Sequence, residues 1–593
     1  YGSADLTLGE YSLVKARAAV NLPLSDSVAA RISVMSNRHD GFTDNVANGQ
    51  DLDDADSISA RAKLLYQPSD TFSATVTAQI FDEDVNGQAQ KGIYDPTPGS
   101  RYLAQDSLSH YELESQLYSL TLEWDLGSIT LKSLTSYQND DIAIQRDNDR
   151  HDYRTLPPFF LLQSYFDPET NEQKTTTQEF NLISNEPAFG RLDWVAGIFY
   201  LDTEVDISIL ERLDSGFDGV FDPFTLDDIF AYGGDVGFIS DSKPERESIS
   251  LYGQGTWSLT DRSRLIAGLR YTEDEVLSAV TNFYGREGTE ILEIESEKVT
   301  GRLALEVDLG DTTMVYASYT RGFKPGGSNL TFGREAVVSP IVVLPVFEEE
   351  TIDAYELGLK TDLMDGRMRL NGAAFFYTYD NLQYQATDPE VFQGGVGNIP
   401  ESEIMGAELE LGAFLSDSLI FDARLAWLDT EITSSHLALD NVASEAATNA
   451  LLAQGLNLFS PEVERARASQ IADVQGNELA KTPGFTANLA LTYSHSLPAW
   501  GNIEGTISYT HRGDFRHRIF NNPLTDEVDG YDTVDLLVRL LPADANWRLE
   551  LIGKNLTDED GINARFTDVF GVGATGDQFI PPRQLMVRVG IDF

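Results

Sequence analysis

The last nine residues of the chain set the strongest limit on its fold. Leu585, Val587, Val589, Ile591 and Phe593 alternate with Met586, Arg588, Gly590 and Asp592, so an extended segment carries one apolar face and one mostly polar face. The same period of two recurs in Leu265, Ala267, Leu269 and Tyr271 against Ile266, Gly268, Arg270 and Thr272. It appears again in Val534, Leu536, Val538 and Leu540 against Asp535 and Arg539. Charged residues on the inner face are costly in the dry core of a sandwich but suit a water-lined lumen.

No window approaches the roughly 18 to 20 consecutive apolar residues that a membrane helix needs, so a membrane-spanning element here must be a strand of a closed barrel. Each apolar face covers about ten residues, which at roughly 3.3 Å per residue and a tilt near 45° spans the ~25 Å apolar band of an outer-membrane barrel. Aromatic residues fall at the ends of these faces: Trp257 before the turn Leu259-Thr260-Asp261, Trp547 at a strand start, and Tyr271 at a far end. This is the distribution of an interfacial girdle.

Charge removes one class of partner. Against 42 Lys and Arg stand 95 Asp and Glu, a net charge of -53, so phosphate neutralisation by a nucleic-acid-binding surface is not expected. Cysteine is absent, which excludes a disulfide framework, a thiolate metal site and a cysteine nucleophile. The opening Tyr1-Gly2-Ser3-Ala4 has no basic region followed by an apolar one, so a signal peptide is not part of this sequence.

Connections alternate in length. Short ones include Pro23-Leu24-Ser25-Asp26, Gln67-Pro68-Ser69-Asp70, Leu309-Gly310-Asp311, Met364-Asp365-Gly366 and Leu415-Ser416-Asp417, all with turn chemistry. Long ones are expected at about 40–54, 84–111, 145–173, 206–244, 277–295, 322–349, 386–399, 434–483, 514–528 and 558–583. Bacterial barrels keep turns short on the periplasmic side and loops long outside, which places the C-terminal strand running inward to end at the periplasm. Roughly 21 full strands are counted between these connections, and antiparallel closure demands an even number. The expectation is therefore an all-β transmembrane antiparallel barrel of about 22 strands, its first strand truncated to Tyr1–Leu6. A lumen of that width calls for a plug, expected upstream of Tyr1.

Several segments resemble one family. Val315-Tyr316-Ala317-Ser318-Tyr319-Thr320-Arg321-Gly322-Phe323-Lys324-Pro325-Gly326-Gly327 is similar to a strand and rim of TonB-dependent outer-membrane receptors. So are Tyr355-Glu356-Leu357-Gly358-Leu359-Lys360, Gly553-Lys554-Asn555-Leu556-Thr557-Asp558 and the terminal Phe593. The opening Tyr1-Gly2-Ser3 and Asn21-Leu22-Pro23-Leu24-Ser25-Asp26 resemble the first barrel hairpin after the plug. The resemblance extends over residues 1–593 and implies that they form the barrel domain, with plug and TonB box lying outside it. It implies an active importer in a Gram-negative outer membrane, energised by the TonB complex and most often carrying ferric siderophores. Saccharides, cobalamin, haem and nickel complexes are other cargoes of the family. Expected partners are the TonB complex, outer-membrane lipid and lipopolysaccharide, and a small-molecule cargo; the receptor is expected as a monomer with no cofactor.

Candidate ligand residues cluster at the expected outer rim. The densest cationic stretch is His511-Arg512-Gly513-Asp514-Phe515-Arg516-His517-Arg518, and in so acidic a chain a positive patch attracts an anionic ligand. Its plainer role is a loop base paired with acidic neighbours or with lipopolysaccharide phosphates. Arg321 and Lys324 hold a similar rim position, where interface anchoring is the simpler role. Phe221, Phe224 and Tyr232 lie in the 206–244 loop among Asp214, Asp218, Asp222, Asp227, Asp228 and Asp235. Their rings suit stacking on a flat ligand, while the carboxylates suit Ca²⁺ without the spacing of an EF-hand. Glu356 and Lys360 share a lumen face and are assigned to the polar wall facing a plug. Only His511 and His517 are close enough to suggest a metal pair, and without a third ligand no metal site is expected.

No Gly-x-Ser-x-Gly elbow or phosphate-cradling glycine loop is present, so an enzyme is not expected. A passive channel is the competing class; it commonly uses 16 to 18 strands, fewer than counted here.

Overall fold

A computed structural model describes residues 1–152, 163–214, 236–283, 286–329, 343–387, 394–456, 460–498, 500–523, 525–543, 545–568 and 574–593. Twenty-two strands form one antiparallel sheet. The first seven are β1 (Gly2–Gly9), β2 (Val14–Ser25), β3 (Val28–His39), β4 (Ala55–Ser69), β5 (Phe72–Val85), β6 (His110–Asp125) and β7 (Ile129–Asp147). Five long strands follow: β8 (Gln163–Ser184), β9 (Leu192–Asp214), β10 (Val236–Thr260), β11 (Ser263–Phe283) and β12 (Arg286–Asp308). Next come β13 (Thr313–Lys324), β14 (Glu350–Leu363), β15 (Met368–Thr387), β16 (Gly394–Ser416) and β17 (Leu419–Ile432). The last five are β18 (Phe485–Leu497), β19 (Gly501–Arg512), β20 (Tyr531–Pro542), β21 (Trp547–Lys554) and β22 (Gln584–Asp592).

Closure joins the two ends of the chain. The short β1 pairs with β22 from Ser3 opposite Asp592 to Gly9 opposite Met586, and with β2 on its other side. No strand edge is left open, which is the condition for a sheet in lipid. The side-chain period then separates two surfaces. Leu585, Val587, Val589 and Ile591 are exposed on the outside, together with Leu269 and Tyr271 of β11 and Tyr355 and Leu357 of β14. Trp124, Trp257, Trp500 and Trp547, near the short turns, are exposed as well.

The inner surface is polar and cross-linked. Arg539 bridges Glu504 at 3.1 Å and Glu550 at 2.9 Å, Arg588 joins the same Glu550 at 2.9 Å, and Lys554 meets Asp535 at 2.6 Å. Glu356 accepts a hydrogen bond from the Tyr316 hydroxyl, and the Lys360 ammonium lies 5.7 Å from the centre of the same ring. The short turns follow their chemistry: Met364, Asp365 and Gly366 all have positive φ, of 53°, 57° and 80°, so the chain reverses in three residues.

Two expectations change. The segment expected as a loop at 277–295 is mostly ladder, with Glu275 opposite Glu295 and Leu277 opposite Glu293. The strands continue beyond the lipid band, where the outward positions Glu273, Glu275, Glu293, Glu295 and Glu297 take the place of apolar residues and erase the alternation. The loops expected at 145–173 and 206–244 are likewise narrowed by β7, β8, β9 and β10. In the expected loop at 434–483 two helices form, α1 (Asn441–Leu452) and α2 (Pro461–Ala468). Alanine-rich α1 starts where the Asp440 side chain accepts from the amides of Val442 and Ala443, both at 3.2 Å, a standard N-cap.

Candidate ligand site in the outer loop layer

Outside the lipid band the loops on one side of the barrel fold into a layer of their own. Residues 43–45 pair with 51–52 and run parallel to 102–103, while 562–567 pair with 575–579, whose Gly576 and Asp577 pair in turn with Gly92 and Lys91. Loops from opposite ends of the sequence are thereby tied together, because the closed barrel makes them neighbours.

Buried arginines fasten this layer. Arg150, 1% exposed, donates to Gln90 Oε1 at 3.0 Å and to the Ala574 carbonyl at 2.5 Å, with its guanidinium 5.0 Å from the Phe566 ring centre. Arg565 forks onto both oxygens of Asp577 at 2.6 and 2.9 Å and donates to the carbonyls of Thr525 and Glu527. Such two-pronged pairs fix orientation as well as distance. Beside them Ile399, Ile432, Ala438, Val474, Leu479 and Ile519 form a small apolar core.

A cavity of about 400 Å³ opens between this core and the rim. Its walls include Tyr379 and Tyr384 of β15, Lys481, His517, Arg518, Phe520, Phe566 and Thr567. Arg518 is neutralised: it meets Asp526 and Asp440 at 2.8 Å each and donates to Asn441 Oδ1 at 2.8 Å. The Tyr384 hydroxyl is committed to His436 Nε2 at 2.8 Å. His517 is 6% exposed, its Nε2 lies 2.9 Å from Thr567 Oγ1, and its Nδ1 is buried without a hydrogen-bond partner. Burial first, then the neighbouring cations Arg518 and Lys481, lower its pKa to about 3, so the imidazole is neutral at physiological pH.

The cationic stretch named from the sequence divides. His517 and Arg518 line the cavity. His511 lies at the rim, 2.8 Å from Asp532 and 5.8 Å from the Phe485 ring. Arg512 covers Phe515 and Tyr531 and donates to the Asn563 carbonyl, and Arg516 pairs with Glu527 at 2.8 Å. Arg321 forms an ion pair at 2.6 Å with Asp353, which shares the outward face of β14 with Tyr355 and Leu357. Lys324 ends β13 opposite Glu350. Phe221, Phe224 and Tyr232 fall outside the described residues. Sequence reasoning did not single out Tyr379, Tyr384, Lys481, Phe520 or Phe566, which come from four separate stretches with no shared motif.

Comparison with known proteins agrees with the architecture. The model of the family described as TonB dependent receptor-like, beta-barrel, matches residues 48–556. The chain belongs to this family. It is a receptor barrel of the Gram-negative outer membrane and not an enzyme. Among relatives, the pesticin receptor of Yersinia enterocolitica is 30% identical over 176 residues, covering 28% of this chain and 23% of that protein. A probable TonB-dependent siderophore receptor, PiuA of Acinetobacter baumannii, is 26% identical over 193 residues, 32% of this chain and 24% of that protein. The matched stretches thus span less than a quarter of these relatives' length. In fold, the ferric yersiniabactin uptake receptor FyuA of Yersinia pestis superposes with a TM-score of 0.78 at 15% identity, over 100% of this chain and 80% of that one.

Proposed function

We propose that this barrel imports a ferric siderophore across the outer membrane, drawing energy from the TonB complex. The observation that carries the reading is the family match over the barrel. The names of the pesticin, PiuA and ferric yersiniabactin receptors support iron-complex cargo. Residues 1–593 act as the barrel domain, its polar inner wall facing a plug that a lumen of 22 strands needs. The receptor works as a monomer in lipid and lipopolysaccharide, and the loop-layer cavity with His517 and Arg518 contributes to holding cargo before the plug moves. Arg512, stacked on Phe515 and Tyr531, and Arg516, paired with Glu527, border it on the rim side. His511, Arg321 and Lys324 act at the rim, and Phe221, Phe224 and Tyr232 stack on the ligand from their own loop.

Uptake of iron-loaded siderophores in iron-limited cells tests this. Expected is loss of uptake of one siderophore class on deletion of the full-length gene, with an equal loss on deletion of TonB. Uptake of a saccharide or cobalamin lost instead would change the cargo, and uptake independent of TonB would favour a passive channel.

A further inference from the structure

Charge is not spread evenly over the lumen wall. The inward positions of β2, β3 and β4 carry Lys15, Arg17, Arg31, Arg61 and Lys63 and no Asp or Glu, in a chain whose carboxylates outnumber its Lys and Arg by 95 to 42. Ile32, Val34, Ile58 and Leu64 of the same strands are exposed on the lipid side, and the period of two turns the cations inward. Arg17 is held by Asp5 at 2.9 Å, and Arg548 and Arg588 lie 3.9 and 3.8 Å from the same carboxylate. Three others have no carboxylate among the described residues. Arg31 donates to Asn21 Oδ1 at 2.9 Å and Arg61 to Gln79 Oε1 at 2.7 Å, and Lys63 has no partner among those residues.

Register makes this arrangement costly. Arg31 stands directly opposite Lys63, and Arg61 follows two places along on the same face of β4. Like charges directly opposite each other destabilise a sheet, and an oxyanion placed between them reverses the sign of the interaction through charge-assisted hydrogen bonds. Room and further donors are at hand. Ser33 lies opposite Arg61, and Ser59 is its neighbour on the same face of β4; neither hydroxyl has a hydrogen-bond partner among the described residues. With Ser3, Arg17, Arg61 and Arg548 these serines border a concavity of about 430 Å³, toward the small end of the roughly 300–1,000 Å³ of small-molecule pockets. Ser3 is the second residue of β1 and Arg31 the fourth of β3, so the site lies in the periplasmic half of the wall.

We propose that this patch is an anion-binding site of the lumen wall. It takes a small solute with two or three oxyanion groups, held by Arg31, Arg61 and Lys63, with the Ser33 and Ser59 hydroxyls completing its hydrogen bonds. As the last station of an anionic cargo before the periplasm this rests on the transport reading; as a binding site it stands by itself.

Calorimetric titration of the full-length receptor with inorganic pyrophosphate and with tricarballylate tests it, acetate serving as the single-charge control. Both polyanions are expected to bind at low ionic strength, acetate about tenfold more weakly, and high salt should weaken the polyanions by screening. Arg31→Gln combined with Lys63→Gln should weaken both polyanions about tenfold through the loss of two charge-assisted contacts, whereas Lys63→Arg keeps the charge and should retain binding. Absence of polyanion binding, equal binding of acetate, or unchanged affinity in the double variant overturns the assignment. So does a double variant that melts lower without added anion while the unaltered receptor binds no pyrophosphate, since carboxylates of the receptor's own chain would then occupy the patch. The two readings fail separately: pyrophosphate binding without siderophore uptake keeps the site and removes the transport reading, whereas uptake without binding of either polyanion does the reverse.

Discussion

Two sectors of the outer rim solve the same problem in different ways. Around the closing seam, strands such as β2, β3, β19 and β20 have 12 residues each and hand over to a folded loop layer. Across the barrel, β8 to β12 run for 21 to 25 residues and carry the sheet itself outward. The loop layer has buried arginines, cross-loop strands and an apolar core. The projecting sheet depends mainly on backbone ladders, with few side-chain ties: an exposed pair, Lys243–Asp206, and one onto a buried carboxylate, Arg246–Asp274. Specific side chains therefore hold most of the first sector, where the cavity lies, while regular backbone pairing holds most of the second.

The largest effect should come from Arg565→Met. It leaves Asp577 unpaired at a position where both side chains are nearly buried, and loss of one partner of a buried pair costs about 3–5 kcal/mol. Hydrogen exchange should report faster opening of 562–567, 575–579 and 91–92, with the ladders of β8 to β12 unaffected. Equal loss in both sectors would erase the distinction between them.

Gly92→Ala should act next most strongly. A Cβ there would sit 2.8 Å from the Arg150 carbonyl oxygen and 2.8 Å from His151 Cε1, and overpacking of this kind costs about 1–3 kcal/mol. Limited proteolysis of the loop layer should accelerate; an unchanged rate would mean that the pairing of 91–92 with 576–577 contributes little.

The buried histidines of the same sector should contribute a smaller, pH-dependent effect. Burial lowers the pKa of His517 to about 3 and of His151 to about 4. The opened state therefore takes up protons below the ordinary histidine value of about 6.5, and the closed state does not. Stability from these groups is complete above about pH 6.5 and declines as the pH falls toward those lowered values. Buried Glu445 and Asp147, whose pKa values burial raises, to about 8 for Glu445, act in the opposite direction. The histidine part is therefore read by comparing exchange in the loop layer of the unaltered protein and of His517→Gln at neutral and mildly acidic pH; an identical pH dependence in the two would contradict it.

The smallest effect is expected from Lys243→Met in the projecting sheet, with no measurable change in thermal unfolding, because exposed ion pairs contribute little. A clear loss would show that side chains matter there too.

The barrel was legible because lipid imposes a simple rule: Leu585 to Phe593 must alternate, and short turns must carry residues such as Gly366. The projecting strands were not, since outside lipid Glu273, Glu275 and Glu295 satisfy an outward position as well as leucine does, and the alternation disappears. The loop layer was least legible. His517 and Arg518 stood out by local charge, yet Arg518 is neutralised by Asp440 from 78 residues away in sequence, and Phe566 and Tyr384 reach the cavity through barrel closure. Contacts made by closure leave no local signature.

Transport is the central claim, and uptake of radiolabelled iron as ferric siderophore by iron-limited cells tests it most directly. Cells with the full-length gene and with TonB should accumulate label from one siderophore class, and removal of either should reduce it to background. Accumulation unchanged by loss of the gene, for every ferric siderophore tried, would contradict the claim.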